Sequence, residues 1–182
     1  MAVWRQLTLD DIQALMRVAD AVHTELPESD YVFAERVKLF PDGCLALVKD
    51  GELCGYTISH PIRRRQPPEL DSLLGEIPPE ADQYYIHDVC ILPAVRGQGL
   101  ATQGINKLLR VAERYPSACL VSVYGTSPFW ARYGFLPPPL VDEALSAKVR
   151  GYGADAAYLE RPGTRHQTGV MDTPEPNGQY AG

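Results

Sequence analysis

Apolar residues recur along the first third of the chain with two different periods. Residues 3–7 alternate as a short strand does, and Thr8 with Asp11 three positions on makes a capping box that opens a helix. Within that helix Ile12, Leu15, Met16, Ala19 and Val22 carry the spacing of one buried helical face. A second, shorter helix is predicted from Val32, Phe33, Val37 and Phe40, and it stops at Pro41, which cannot continue it. Strand-like runs follow at 44–48 and 53–59, joined by Lys49-Asp50-Gly51-Glu52, which has the residue chemistry of a hairpin turn.

The pattern then lapses. Residues 60–83 hold five prolines, three adjacent arginines (Arg63 to Arg65) and a weakly apolar middle, the composition of a surface excursion. Residues 84–92 read as the strongest strand of the chain and end at Pro93. A helix over 100–114 would bury Ala101, Ile105, Leu108, Leu109 and Ala112, and another strand is predicted at 119–124. A short helix fits 127–133, prolines at 137–139 interrupt the chain, and 154–160 reads as a last strand. There is no internal repeat. After Arg161 small, polar and proline residues replace any periodic pattern, so a domain over 1–160 with a polar, flexible tail at 161–182 is expected.

A length of 182 residues with 45% apolar and 22% charged positions fits one globular domain and excludes disordered, fibrous and disulfide-framework classes. The formal charge of −6 argues against nonspecific attraction to nucleic acid or anionic membrane. Cys44, Cys54, Cys90 and Cys119 form no C-x-x-C pair, and His23, His60 and His166 show no metal-ligand spacing, so no metal is expected. The amino-terminal residues lack the pattern of an export signal, and no apolar run of about 18 residues occurs. A cytoplasmic protein is expected.

The most informative string is residues 91–109, a strand end, a turn with two glycines and an amphipathic helix. Gly97 and Gly99 allow positive φ and present consecutive N–H groups, and the helix start adds free donors and a positive dipole end. That is an anion cradle suited to a pyrophosphate. A Walker loop would need a Lys-Ser or Lys-Thr pair where Leu100-Ala101 stands, and a dinucleotide fingerprint would need Gly or Ala at Thr102. What fits is the acyl-CoA pattern of Arg or Gln, two residues, Gly, one residue, then Gly or Ala, filled by Arg96, Gly99 and Ala101.

In this the chain resembles the GNAT superfamily of N-acetyltransferases. Gly-x-Gly before a helix occurs in many tight turns, so two linked features matter. Ile91-Leu92-Pro93-Ala94-Val95-Arg96-Gly97 resembles the family's Val-x-Pro-x-x-Arg-Gly, and Phe129-Trp130-Ala131-Arg132-Tyr133-Gly134-Phe135 its Phe-Tyr-x-x-x-Gly-Phe box. With the upstream order of elements, the resemblance covers about residues 3–160. It implies an α/β fold with a central mixed, mostly antiparallel twisted sheet of six to seven strands, splayed at the CoA site and flanked by about four helices. It also implies acetyl-CoA as co-substrate. Backbone groups of Val89, Cys90 and Ile91 would take pantetheine, and the turn Arg96, Gly97, Gln98, Gly99, Leu100, Ala101 and Thr102 would take the pyrophosphate, Arg96 either assisting the phosphates or bracing the turn.

Acetyl transfer to an amine needs a base, and a histidine with an intrinsic pKa of ~6.5 is suited to it. His87 stands where polyamine and arylalkylamine members of the superfamily place a Glu or His. The competing reading is a strand histidine packed in the sheet or bonded to Tyr84 or Tyr85. Asp88 faces away from His87 on a regular strand, and a bulge would change that. The family's acid is the tyrosine of the Phe-Tyr box, and Trp130 replaces it here. An indole N–H cannot give up its proton, so Trp130 would polarise or pack against CoA, with Tyr133, Tyr124 or water protonating the thiolate. Glu25, Glu28 and Asp30 are candidates for an amine pocket, or plain helix-end charges. The expected function is acetyl transfer to a primary amine of a small molecule by direct attack in a ternary complex. The alternative is a non-catalytic acyl-CoA-binding or sensing module. No nucleic-acid or membrane partner is expected, and family habit leaves a homodimer open.

Overall fold

The computed structural model of the chain describes residues 1–164. In chain order its elements are β1 (Ala2–Gln6), α1 (Ile12–Val22), α2 (Asp30–Leu39), β2 (Leu45–Lys49), β3 (Glu52–Ile62) and β4 (Gln83–Ile91), then α3 (Leu100–Ala112), β5 (Ser117–Ser122), α4 (Ser127–Ala131), α5 (Glu143–Arg150) and β6 (Ala157–Pro162). One six-stranded sheet runs β1-β2-β3-β4-β5-β6. All neighbours are antiparallel except β4 and β5, which are parallel because α3 carries the chain back between them.

Alternation along the strands sends residues to two layers. Ala46, Tyr56 and Ile58 meet Leu15, Val18, Phe33 and Val37 of α1 and α2. On the opposite face Tyr84, Ile86 and Leu120 meet Ile105 and Leu108 of α3, together with Trp130 and Phe135. The expected capping box is present, with the Thr8 N–H and hydroxyl both reaching the Asp11 carboxylate at 2.8 and 3.1 Å. It caps a single tight turn, Leu9–Asp11, that leads directly into α1. Trp4 of β1 pins the start of α3: its indole N–H donates to the Leu100 carbonyl at 2.8 Å, and its ring lies over Gly104, where a Cβ would stand only 2.7 Å away.

Several boundaries differ from the sequence reading. β3 takes in His60, Pro61 and Ile62, so the excursion spans residues 63–82. Two of the three arginines are tied into the structure: Arg63 pairs with Glu80, and Arg65 donates to both oxygens of Glu160 at 2.7 and 3.0 Å. β5 starts and ends two residues early, because Tyr124 adopts a left-handed φ of 56° that no strand tolerates, whatever its apolar neighbours suggest. α5 was not expected. Its opening is set by Asp142, whose side chain accepts from the Leu145 N–H at 2.7 Å, and Leu145 is buried against β5 and β6. A seventh strand reduces to one bridge, Leu136 to Glu160, cut off by the prolines that follow. Arg161 and Pro162 belong to β6, and Gly163 bonds Pro116 at 2.9 Å, so the sheet outlasts the boundary expected at 160. The rest of the expected tail, 165–182, with His166, lies outside the described residues. Among the described residues no helix is long and apolar enough to cross a membrane.

Candidate active site

β4 and β5 part company in mid-sheet. Gln83 to Ile86 pair with Ser117 to Leu120, whereas beyond Ile86 only β3 pairs with β4. Peptide groups facing β5 there are left for another partner. A groove of about 730 Å³ fills the gap, walled by Val89, Cys90 and Ile91 on one side and by Leu120, Val121 and Val123 on the other. Arg96, Gly97, Gly99, Leu100, Ala101 and Thr102 close one end, and Gln98 of the same turn is exposed outside the lining.

Gly97 and Gly99 take φ of 79° and 73°, and a Cβ on either would meet nothing within 4 Å. Backbone conformation demands glycine here, and the space beside it is open. Among the described residues no N–H from Gly97 to Thr102 donates to a backbone carbonyl, and the first such donor of the helix is Gln103, to Gly99 at 3.2 Å. Free donors at the positive end of α3 fit a diphosphate, as the glycine spacing implied. Arg96 donates through Nε to the Ile91 carbonyl at 2.9 Å and so braces the turn. Arg132, which the sequence did not single out as a ligand, stacks over Phe129 at 5.0 Å and lines the groove. Tyr133 sits at the same end, its hydroxyl 2.6 Å from Thr102 Oγ1. Trp130 is buried edge-on to Phe135 and shows one side to the groove.

A second cavity of about 40 Å³ adjoins the groove and shares His23, His87, Asp88, Val121 and Val123 with it. The β3–β4 register passes from Ser59 opposite Ile86 to Ile58 opposite Asp88, which leaves His87 as an unpaired bulge residue. The bulge lets His87 and Asp88 both line this junction. His87 Nε2 lies 2.6 Å from Glu28 Oε1, with the two side chains 2% and 6% exposed. Glu28 Oε2 accepts the Asp71 N–H at 3.0 Å. Burial opposes ionisation of Glu28, but attraction and hydrogen bonding to His87, the Asp71 N–H and the charge of Arg36 outweigh it and hold the carboxyl below its ordinary pKa. His87 Nδ1 is buried without a partner. Of the three acidic candidates in this loop, Glu28 enters the site, while Glu25 and Asp30 are exposed.

Nothing local along the chain marks His23 as functional, because its partners lie far from it in sequence. Its Nε2 is 3.0 Å from Asp88 Oδ1 and its Nδ1 is 3.3 Å from the Tyr124 hydroxyl, the two rings being stacked. Tyr56 donates to the other oxygen of Asp88 at 2.6 Å. Burial works to lower the pKa of His23, yet bonds and charge from Asp88 and Cys90 prevail and raise it to about 11.

With cradle, splayed strands and junction in view, the comparison with known families is direct: residues 9–135 match the model of the acetyltransferase (GNAT) family. The chain belongs to that family. Acyl-CoA-dependent acetyl transfer is therefore its general chemistry. Among solved structures, Ard1 from Thermoplasma volcanium is similar, with a TM-score of 0.67 at 14% identity over 89% of this chain and 97% of that one. The GphF GNAT-like decarboxylase in complex with isobutyryl-CoA gives 0.66 at 18% identity over 88% and 98% of the two chains. N-acetylglutamate synthase from Neisseria gonorrhoeae, complexed with coenzyme A and N-acetyl-glutamate, gives 0.64 at 18% over 89% of this chain and 35% of that one. At such identities these GNAT relatives share the fold. Comparison with curated proteins finds no match.

Proposed function

We propose that the chain moves the acetyl group of acetyl-CoA to a primary amine of a small molecule, by direct attack in a ternary complex. The observation that carries this reading is the meeting of two cavities at the β4 bulge, one ending in a cradle of free N–H donors, the other holding the buried His87–Glu28 pair. Acetyl-CoA supplies an activated thioester and a thiolate leaving group. Backbone groups of Val89, Cys90 and Ile91 hold its pantetheine arm, and an N–H near Val89 meets the carbonyl oxygen as negative charge develops on it. Gly97 to Thr102 hold the pyrophosphate, with Arg96 keeping their turn in shape and Trp130 packing beside the arm.

His87 takes a proton from the attacking amine. When its Nε2–H donates to Glu28, the tautomer is fixed and the lone pair rests on Nδ1, the atom without a partner. Glu28 then faces the imidazolium that results, as the carboxylate of a catalytic dyad does. Tyr133 is engaged with Thr102 at the phosphate end, so Tyr124, which lines the groove beside His23, is the better placed acid for the thiolate. The acceptor cavity is small and Leu70 of the 63–82 excursion forms part of its wall, which suits a compact amine.

The test is calorimetric titration with acetyl-CoA, with NAD as control and Gly99→Glu to fill the cradle. Micromolar binding that falls at least 30-fold in the variant is expected, followed by thiol release with a panel of primary amines. Absence of acetyl-CoA binding overturns the proposal.

A further inference from the structure

Four side chains from four parts of the chain form one continuous hydrogen-bonded series. Tyr56 of β3, fully buried, donates to Asp88 Oδ2 at 2.6 Å. Asp88 Oδ1 stands 3.0 Å from His23 Nε2, just past the end of α1, and His23 Nδ1 stands 3.3 Å from the hydroxyl of Tyr124, in the turn after β5. The series runs from core to groove: Asp88 and His23 are mostly buried, at 12% and 16% side-chain exposure, while Tyr124 is 44% exposed and lines the wall. The amine side of the junction uses Glu28 and His87 and leaves this series unexplained.

We propose that His23, held by Asp88 and Tyr56, positions Tyr124 and returns its proton, so that the four residues form a relay serving the leaving-group side of the reaction. The inference rests on the acetyl-transfer reading above and adds to it a source for the acid's proton.

The donor count decides the direction. Tyr56 spends its hydroxyl proton on Asp88, so Asp88 still has a lone pair for His23 Nε2–H. The protonated imidazole has a second N–H on Nδ1, which donates to the Tyr124 oxygen and leaves the phenol O–H free to point into the groove. When the C–S bond breaks, the Tyr124 O–H bond breaks with it and the thiolate becomes a thiol. The phenolate takes the Nδ1 proton of His23, and the neutral imidazole regains one from water. The titratable groups facing His23 are Asp88 and Cys90 on β4, Tyr56 on β3 and Tyr124 after β5, with Glu28, His87 and Tyr152 lining the small cavity beside it. Asp88 is the partner within hydrogen-bond distance that keeps the imidazole protonated.

NMR of the ring nitrogens in the intact chain tests the charge without any acceptor. Both N–H groups of His23 are expected at pH 8 in wild type and in Tyr124→Phe, and one is expected to be lost in Asp88→Asn. A neutral His23 at pH 7 in wild type overturns the relay. The kinetic arm follows thiol release from acetyl-CoA with phenethylamine or whichever amine of the panel turns over. His23→Gln is expected to lower kcat 10- to 100-fold with KM for acetyl-CoA within twofold, and His23→Gln/Tyr124→Phe to be no slower than Tyr124→Phe alone. Multiplicative losses, or a raised KM with kcat intact, would show a merely structural histidine. In Asp88→Asn the alkaline limb of kcat should move to lower pH, since the anion that sustains the imidazolium is gone. Failure of acetyl-CoA to bind in calorimetry strikes the acetyl-transfer reading, whereas the state of the His23 ring strikes the relay alone.

Discussion

The two halves of β4 invite comparison. From Gln83 to Ile86 the strand is bonded to neighbours on both sides, and its side chains are buried in both layers. From His87 to Ile91 it has β3 alone, and His87, Asp88 and Val89 are only half buried as residues. The first half spends its peptide groups on the sheet on both sides, and the second leaves those facing the groove unspent. One bulge and one divergence separate a structural strand from a functional one within nine residues.

The largest contrast should come from substituting one residue in each half's surroundings. His87→Ala is expected to lower kcat by about 10²- to 10⁴-fold, the usual worth of a general base, with acetyl-CoA affinity within a few-fold in calorimetry. Unchanged kcat would remove His87 from the chemistry. On the paired side, Leu120→Ala should cost about 2–5 kcal/mol of unfolding free energy in urea titration, because Leu120 is 1% exposed under α3. A middle case joins the halves. Gly104→Ala puts a methyl against the Trp4 ring and is expected to cost about 1–3 kcal/mol while weakening acetyl-CoA severalfold, since Trp4 fixes the start of α3 that carries the cradle.

The smallest effect lies away from both halves, at Arg5 and Asp11. Hydrogen bonds from Arg5, opposed by burial and aided by Thr8, lower Asp11 from its ordinary value to about 2. A carboxyl depressed in the folded state adds stability above its unfolded pKa and loses it as pH falls towards 2. With Arg5 45% exposed, that contribution is held to about 1 kcal/mol or less by solvent screening. Asp11→Asn should therefore lower the melting temperature slightly at pH 6, and the gap to wild type should narrow as pH falls towards 2.

Periodicity and turn chemistry made much of this legible. Ile12, Leu15 and Ala19 announced α1, Pro41 ended α2, and Arg96, Gly97, Gly99 and Ala101 announced the cradle, because those constraints act within a few residues. Glu28 and His87 were both singled out, but 59 residues separate them and only the folded sheet shows that they bond. His23 was invisible for the same reason, as its acidic partner lies 65 residues away. The bulge at His87 follows from register with β3, which no local pattern encodes. α5 was missed because three prolines precede it and its apolar pair, Leu145 and Val149, is brief.

The excursion between β3 and β4 has a consequence for how acceptor preference could change. Residues 63–82 link adjacent antiparallel strands, and the segment is stitched to the site at a few points: Asp71 bonds Glu28 and Ser29, and the Pro68 carbonyl accepts from Tyr152. Loop closure costs only about 0.6 kcal/mol for each doubling of length, and pairing within the sheet does not depend on what the loop contains. Under the proposed acetyl transfer, the wall of the small cavity is thus a replaceable panel: a lineage can lengthen, shorten or rewrite it, keeping Asp71 as the latch, and admit a different acceptor while the groove and its cradle are inherited intact.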